Sequence, residues 1–565
     1  MPAEDDAFSP LSLLDPVPIP RVHVDGVARA IGFAFSQGEV GRLFDEIVEQ
    51  MPIAASEWQA DQFERDIFLG HFVARCFPVV VGGRAREINR TALTRILRSP
   101  PADRSVVLFR QAIFRELEAS KHLHGAAETF YLKLTHLRDL LAHTGAGLRV
   151  DPLQRRLDVM RTIVELVGIG IASLQHAKSG LSVLGQWARA MAETSSFKRM
   201  ADLVAYEDDA ATIRVTLRLG FDGRVRALTV DDIVPNDTNA FHQTRTARLA
   251  SRFGMLARGY SFSDNELLER IVDEVFSGIE PGLVHLFPLV ADLEFYLAGM
   301  SFRDGAVRAG LEVSLPIFRD RDDADAAHGM SVTKLFNPLL LAERGQTTPC
   351  ELATHTDASL IIVTGPNSGG KTRLLQAIAF TQLLGQVGCF VPAARATLSF
   401  TRGLFLSLIE HAEADQKEGR LGTELHRIRR LFERVRPNSL VLLDELCSGT
   451  NPTEGEEIFR LVVNLLGELD LTTFVTTHFL AFAARLSSTN PELEFLQVEL
   501  DADERPTYQF VRGVAETSLA HRTAERLGVT EEALRSVLAK RAPEDAPSDP
   551  GYSMTPVAAS QSSRA

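Results

Sequence analysis

The sequence predicts a multidomain protein: an all-α region with a β-hairpin insertion, followed by an α/β domain of the P-loop type. Three observations carry this. Helical spacing of apolar residues runs through most of the first 330 positions. Period-two alternation around Asp222-Gly223 interrupts it once. A Gly-rich octet, Gly365-Pro366-Asn367-Ser368-Gly369-Gly370-Lys371-Thr372, stands between the apolar run Ser359 to Thr364 and a helix-like stretch from Arg373 to Leu384. At 565 residues the chain is too long for one core, and its 45% hydrophobic and 24% charged content is that of an ordinary globular protein.

Residues 1–99 form a first region. Its start, to about residue 25, is rich in Pro and Asp and is expected to be poorly ordered; from Val40 to about Arg98 the pattern is mostly helical, with Phe44, Ile47 and Val48 on one face. Pro100-Pro101 marks a boundary. Residues 100–330 are expected to form a helical body. Leu108, Ile113 and Leu117 fall on one helix; Leu134, Leu137 and Leu141 fall on another that Gly145 closes; a long helix runs from Pro152 to about Leu174; and Trp187, Met191 and Met200 sit in a further helical segment. The hairpin spans about 211–231, with Ile213, Val215, Leu217 and Leu219 alternating with Arg214 and Arg218, and Arg224 and Arg226 beyond the turn. Arg245, Arg248, Arg252 and Arg258 make a second basic cluster. Both clusters read either as phosphate contacts or as solvated outer faces. Residues 331–540 alternate short apolar strands with helices, and 541–565, rich in Pro, Ser and Ala, reads as a disordered tail.

The octet defines the chemistry. Its glycines let backbone N–H groups turn inward around phosphate oxygens, and the following helix presents its positive end to them. In such a loop Gly365 to Gly370 cradle the phosphates, Lys371 reaches the outer ones, and Thr372 offers its hydroxyl to Mg2+. Downstream, the run Ser439 to Leu443 ends in Asp444-Glu445. Adjacent carboxylates at the exposed end of a buried strand suit metal-dependent hydrolysis, with Asp444 on the metal and Glu445 polarising the attacking water. A second apolar strand, Thr472 to Thr477, ends in His478, which is placed to contact the γ-phosphate or that water. The expected ligands are therefore ATP and Mg2+.

Taken together, Thr364 to Thr372, Phe390-Val391-Pro392-Ala393, Leu442-Leu443-Asp444-Glu445, Gly449 to Gly455 and Thr476-Thr477-His478-Phe479 resemble the ATPase domain of MutS-type DNA mismatch repair proteins. The form of Gly449 to Gly455 is closer to the second bacterial MutS subfamily. The resemblance covers about 331–540 and makes this an ATPase domain of ABC/MutS type; by helical pattern, 100–330 fits the family's core and lever domains. It implies a homodimer with paired ATP sites, Gly449 to Asn451 lying near the subunit boundary, and an ATP-driven clamp on DNA in mismatch repair or recombination. Two departures stand out. Glu418 to Glu424 replaces the family's Ser-Thr-Phe element, and Pro349-Cys350 occupies the place of an aromatic residue that meets adenine. The Phe-x-Glu letters of a mismatch wedge occur at Phe44-Asp45-Glu46 and Phe114-Arg115-Glu116, but both lie in helical patterns.

A net charge of −14 confines any nucleic-acid contact to local patches and makes it salt-sensitive. The target is then duplex or branched DNA more than single mismatches, or else ribosomes and structured RNA, which the sequence does not separate. A transporter or chromosome-organising ATPase would carry a Leu-Ser-Gly-Gly-Gln-type signature, and none is present. The acidic N-terminus and interrupted apolar runs give no signal peptide or membrane span. Cys76, Cys350, Cys389 and Cys447 are scattered without metal-ligand spacing, which fits the cytoplasm.

Overall fold

The computed structural model describes residues 8–37, 40–142, 152–209, 211–219, 225–235, 272–319, 329–342, 347–356, 358–366, 368–408, 419–447, 451–517 and 528–541. A helical body comes first. Helices Arg104–Ala119, Lys121–Ala142, Pro152–Ala172 and Ser182–Glu193 pack in succession, their buried positions following the apolar stripes of the sequence. At their centre lies Pro288–Arg308, buried almost all round, as a helix without a polar face must be. Among the described residues one helical stretch, Glu280–Arg308, is long and apolar enough to cross a membrane, and its apolar part is enclosed by protein.

The start of the chain departs from expectation. Residues 8–22 are not loose; they thread through the helical body, with Leu13 and Leu14 fully buried. Polar contacts hold them there. Arg21 donates two 2.7 Å hydrogen bonds to the two carboxylate oxygens of buried Asp292, which also accepts from the Leu13 N–H. Arg110 donates to the Leu14 carbonyl and Tyr296 to that of Leu13. Residues 40–98 are also less helical than their pattern suggests. Helices Leu43–Gln50, Leu69–Arg75 and Arg90–Leu97 are separated by irregular chain and a small ribbon, β1 (Val80–Val81) with β2 (Arg84–Ala85). The two Phe-x-Glu elements lie in helices: Phe44 stacks on Phe287 at 4.3 Å, and Phe114 packs against Phe295, Tyr296 and Phe390. Neither ring is available to enter DNA.

The hairpin is present as β3 (Ala211–Leu219) paired antiparallel with β4 (Val225–Pro235), a longer second strand than expected. Arg224 and the cluster from Arg245 to Arg258 lie outside the described residues. The α/β region starts before residue 331. The short strand β5 (Ile317–Arg319) joins β6 (Ser331–Leu335), β7 (Cys350–Ala353) and β9 (Arg395–Ser399) in a sheet of order β5-β9-β6-β7. Beside it stands a six-stranded sheet of β8 (Leu360–Thr364), β10 (Gly403–Ser407), β11 (Ser439–Leu443), β12 (Leu471–Thr477), β13 (Glu494–Leu500) and β14 (Pro506–Arg512). Its order is β10-β11-β12-β8-β13-β14, parallel except for β14. β8, β11 and β12 are buried along their whole length, as interior parallel strands covered by helices require. The expected tail lies outside the described residues except for Arg541, the end of helix Glu531–Arg541.

Breaking the Arg21–Asp292 pair leaves one uncompensated charge in the interior. Arg21→Met should cost about 3–5 kcal/mol of unfolding free energy, the range for halving a buried ion pair, while Arg21→Met with Asp292→Leu should cost clearly less. Urea denaturation of the two variants checks this.

Candidate functional site

Three strand ends meet at one edge of the large sheet. The loop after β8, the Asp444-Glu445 pair after β11 and His478 after β12 emerge side by side, because β12 lies between the other two in parallel register. This is the carboxyl edge, where open α/β sheets bind ligands.

The loop is shaped by close approach. Gly370 has φ +86° and caps the helix Lys371–Gln386 in the left-handed region, which glycine adopts without strain. A Cβ on Gly369 would lie 2.8 Å from a Val498 methyl of β13 and 3.0 Å from the Pro366 carbonyl. Gly365, Pro366, Ser368, Gly369 and Gly370 therefore wrap the helix N-terminus, with the Gly369 N–H donating to the Pro366 carbonyl; Asn367 lies outside the described residues. Lys371 is buried, and its ammonium donates to the Gly365 and Pro366 carbonyls at 3.0 and 3.2 Å. Its Nζ also stands 3.6 Å from a Glu445 oxygen. Burial lowers the lysine's pKa; the Glu445 and Asp444 carboxylates oppose that.

Asp444 is the most constrained group of the site. Thr372 donates to its Oδ2 at 2.5 Å and Thr476 to its Oδ1 at 2.6 Å, while its own N–H donates to the Ser407 carbonyl. Burial raises the carboxyl's pKa, and the two hydroxyl hydrogen bonds pull it back toward the ionised form. Glu445 follows with φ +46° and Cys447 with φ +60°, a left-handed course unusual for such side chains. The Glu445 N–H donates to the Thr476 hydroxyl, so one threonine orients both carboxylate residues. Strain of this kind persists only where its surroundings hold it, and here it turns Glu445 toward Lys371. His478 is half-buried with its ring 4.4 Å from that of Phe479; among the described residues it makes no hydrogen bond to either carboxylate.

The arrangement fits Mg2+ by its donors. A threonine hydroxyl and a carboxylate oxygen already face one another, and hard oxygen ligands are what that ion takes. Beside the end of the loop opens a cavity of about 260 Å3, lined by Phe336, Cys350, Gly370, Arg373, Tyr508 and Phe510 among others. Burial pushes the Cys350 thiol up to about 12, so it lies there as a neutral apolar group. The aromatic surface missing at Pro349-Cys350 is thus supplied from β14 and from Phe336. The contacts of Thr476 with both carboxylate residues, and the positions of Tyr508 and Phe510, escaped the sequence reading. Nothing in the strand sets Thr476 apart, since it is one of four threonines between Leu471 and Thr477; the β14 rings left no signal either, since they reach the loop only through sheet pairing.

Gly369→Ala should weaken nucleotide binding at least tenfold, because the new methyl has no space between Val498 and the Pro366 carbonyl. Adding Val498→Ala should restore part of it. Titration of both variants with a fluorescent ATP analogue checks this.

Comparison with known proteins places residues 361–541 in MutS domain V. The chain is 27% identical over 341 residues to Endonuclease MutS2 of Thermus thermophilus, covering 59% of this chain and 43% of that protein. It is 25% identical over 284 residues to the Caldanaerobacter subterraneus MutS2, covering 49% and 34%. With the Thermomicrobium roseum MutS2 it shares 32% over 213 residues, covering 37% and 26%. The chain therefore spans less than half the length of these curated relatives.

Proposed function

From the premise that this chain is a MutS-family protein with an ATPase domain of the MutS2 type, we propose that it hydrolyses ATP with Mg2+ and, as a cytoplasmic homodimer, uses the cycle to change its grip on DNA. One observation carries the reading: Thr372 and Asp444 meet at 2.5 Å at the mouth of a phosphate loop whose lysine faces Glu445.

The residues divide the task. Backbone N–H groups of Gly365, Asn367, Ser368, Gly369 and Gly370, with the helix N-terminus, receive the phosphates; Pro366 lacks an N–H and sets the turn. Lys371, resting on two neutral carbonyls, exchanges them for the charged outer phosphates. Thr372 and Asp444 hold Mg2+, which when bound neutralises charge on the phosphate oxygens. Glu445 orients and polarises the attacking water, and His478 contacts that water or the γ-phosphate. The base lodges in the cavity between Tyr508, Phe510 and Phe336, a seat built from stacking surface and buried apolar groups.

Lys371→Ala should abolish tight ATP binding. Glu445→Gln should leave binding within about twofold and reduce turnover about a hundredfold or more, since only the group acting on water is lost. Sedimentation of Glu445→Gln with ATP should show a dimer. Equal turnover by Glu445→Gln and wild type overturns that residue's role, and a strict monomer overturns the paired-site reading.

DNA binding rests on the family and on the basic hairpin. Arg214, Arg218 and Arg226 stand on β3 and β4, with Arg224 and the cluster Arg245, Arg248 and Arg252 nearby in sequence. The phenylalanines of both Phe-x-Glu elements are buried, so binding should be indifferent to a single mismatch. Replacing all seven arginines should weaken binding about equally on homoduplex, mismatched and four-way-junction DNA, and flatten its salt dependence. Gel-shift titrations with and without ATP test this. Absence of DNA binding in every nucleotide state would favour ribosomes or structured RNA as the target.

A further inference from the structure

We propose that Asp66, in the N-terminal region, is a positioning residue for ATP hydrolysis, tied to the metal-holding carboxylate Asp444 through Leu408, Ser407 and Arg427. The inference rests on the ATPase reading above, and the residue to which it gives a role, Asp66, lies outside the matched domain V.

The segment from Glu57 to Phe68 is docked against the ATPase region at β10, an edge strand of the large sheet. Trp58 anchors it: the indole N–H donates to the Thr401 carbonyl at 3.1 Å, and the ring packs edge-on against fully buried Phe63. Exposed ion pairs flank the anchor, Glu57 with Arg402 at 2.8 Å and Asp61 with Arg434 at 2.6 Å. Such surface pairs add little by themselves.

Asp66 differs from them. It is 6% exposed, and its Oδ1 accepts the Leu408 N–H at 3.1 Å, one residue past the end of β10. The same oxygen stands 3.7 Å from an Arg427 nitrogen on helix Gly419–Arg434, and that nitrogen donates to the Ser407 hydroxyl at 3.4 Å. The Ser407 carbonyl then accepts the Asp444 N–H at 2.9 Å. One carboxylate from the first region thus binds the N–H of the same Ser407–Leu408 peptide whose carbonyl holds Asp444, and faces the arginine that holds the Ser407 hydroxyl. The same helix holds the other side of the metal strand, since Glu424 accepts the Cys447 N–H. A shift at Leu408 is passed to Asp444 because each link is a buried or half-buried hydrogen bond or ion pair.

This arrangement leaves substrate binding alone. The phosphate loop follows β8, and the aromatic cavity is lined from β14, the ends of β6 and β7 and the helix after the loop; in the large sheet β8 and β14 lie on the far side of β12 from β10. Loosening Asp66 should therefore slow the chemical step and weaken Mg2+ use while sparing the affinity for ATP. Catalytic geometry is sensitive enough for this: displacements of about 1 Å can cost about a hundredfold.

The test is steady-state ATP hydrolysis by the full chain, with Mg2+ varied at saturating ATP. Asp66→Ala should lower kcat about tenfold and raise the half-saturating Mg2+ several-fold, with KM for ATP within about twofold. Asp66→Asn keeps an acceptor for Leu408 but loses the charge facing Arg427, so it should fall between. Arg427→Gln should reproduce the slower kcat, and the Asp66→Asn, Arg427→Gln double variant should be no slower than the worse single one, as for two groups acting through one path. Glu57→Gln, which loosens only the exposed flank, should match wild type. Independent, multiplicative effects of the two substitutions would overturn the proposal. So would an Asp66→Asn enzyme equal to wild type in kcat and Mg2+ dependence, or one that loses ATP affinity and kcat together. If Asp66→Ala does not fold, Asp66→Asn and Arg427→Gln still decide. A wild-type protein without turnover removes the ATPase reading itself; a turning-over wild type matched by Asp66→Asn removes only the positioning role.

Discussion

The helix that follows the phosphate loop has no solvent face, and the rest of the molecule is organised around that. From Leu374 to Gln386 every residue of Lys371–Gln386 is buried, so its polar members must be paired inside. Gln382 donates to the Ser399 carbonyl and Gln386 exchanges hydrogen bonds with Thr401, which fixes the helix to the edge of the smaller sheet. Just beyond its C-terminus, the Val387 carbonyl accepts from Arg110, a fully buried guanidinium that also holds the Leu14 carbonyl. The helix that begins at Lys371 is therefore continuous with the helical body at its other end. A displacement at Lys371 has no soft surface in which to dissipate, because close-packed interiors transmit strain.

The same economy of contacts governs the carboxylates. Asp444 alone, in so buried a place, would be pushed toward its neutral form and would make a poor metal ligand. Two threonine hydroxyls and a nearby ammonium pull it back toward the ionised form, against burial and the neighbouring Glu445, and hold its oxygens in fixed directions. Thr476 does this from a different strand, which requires β11 and β12 to be adjacent and in parallel register. The site thus depends on strand order, and the left-handed turn at Glu445 is the local cost of pointing two successive carboxylates to different tasks.

What the sequence disclosed follows from how local each signal is. The strand, loop and helix around Gly365 to Thr372 were legible because glycine spacing and apolar runs act within a dozen residues. The Asp444-Glu445 strand was legible for the same reason, and so was the hairpin around Asp222-Gly223. The order of the sheet was not, because hydrophobic strands carry no mark of their neighbours. Tyr508 and Phe510 reach the loop across β13, and Asp66 reaches Leu408 across more than half the chain. The misjudged start of the chain is instructive. Its Pro and Asp content resembles that of a loose terminus, yet Leu13 and Arg21 find partners at Asp292 and Tyr296, and Leu14 finds one at Arg110, that no local pattern announces.

These long-range ties change what the first region is for. A terminal segment docked only by exposed ion pairs would come and go with little consequence. This one is fixed at two depths. Residues 12–21 share the buried polar cluster of Asp292, Tyr296 and Arg110 that also touches the end of the phosphate-loop helix, and residues 57–66 clasp the edge strand that supports Asp444. The first region thus holds both the far end of the helix Lys371–Gln386 and the edge strand beside the one that carries Asp444. Movement between the helical body and the sheet must strain one clasp or the other. A change at the carboxyl edge of the sheet would have a defined route into the helices, through packed side chains with named partners, without any contact from the hairpin or the basic clusters.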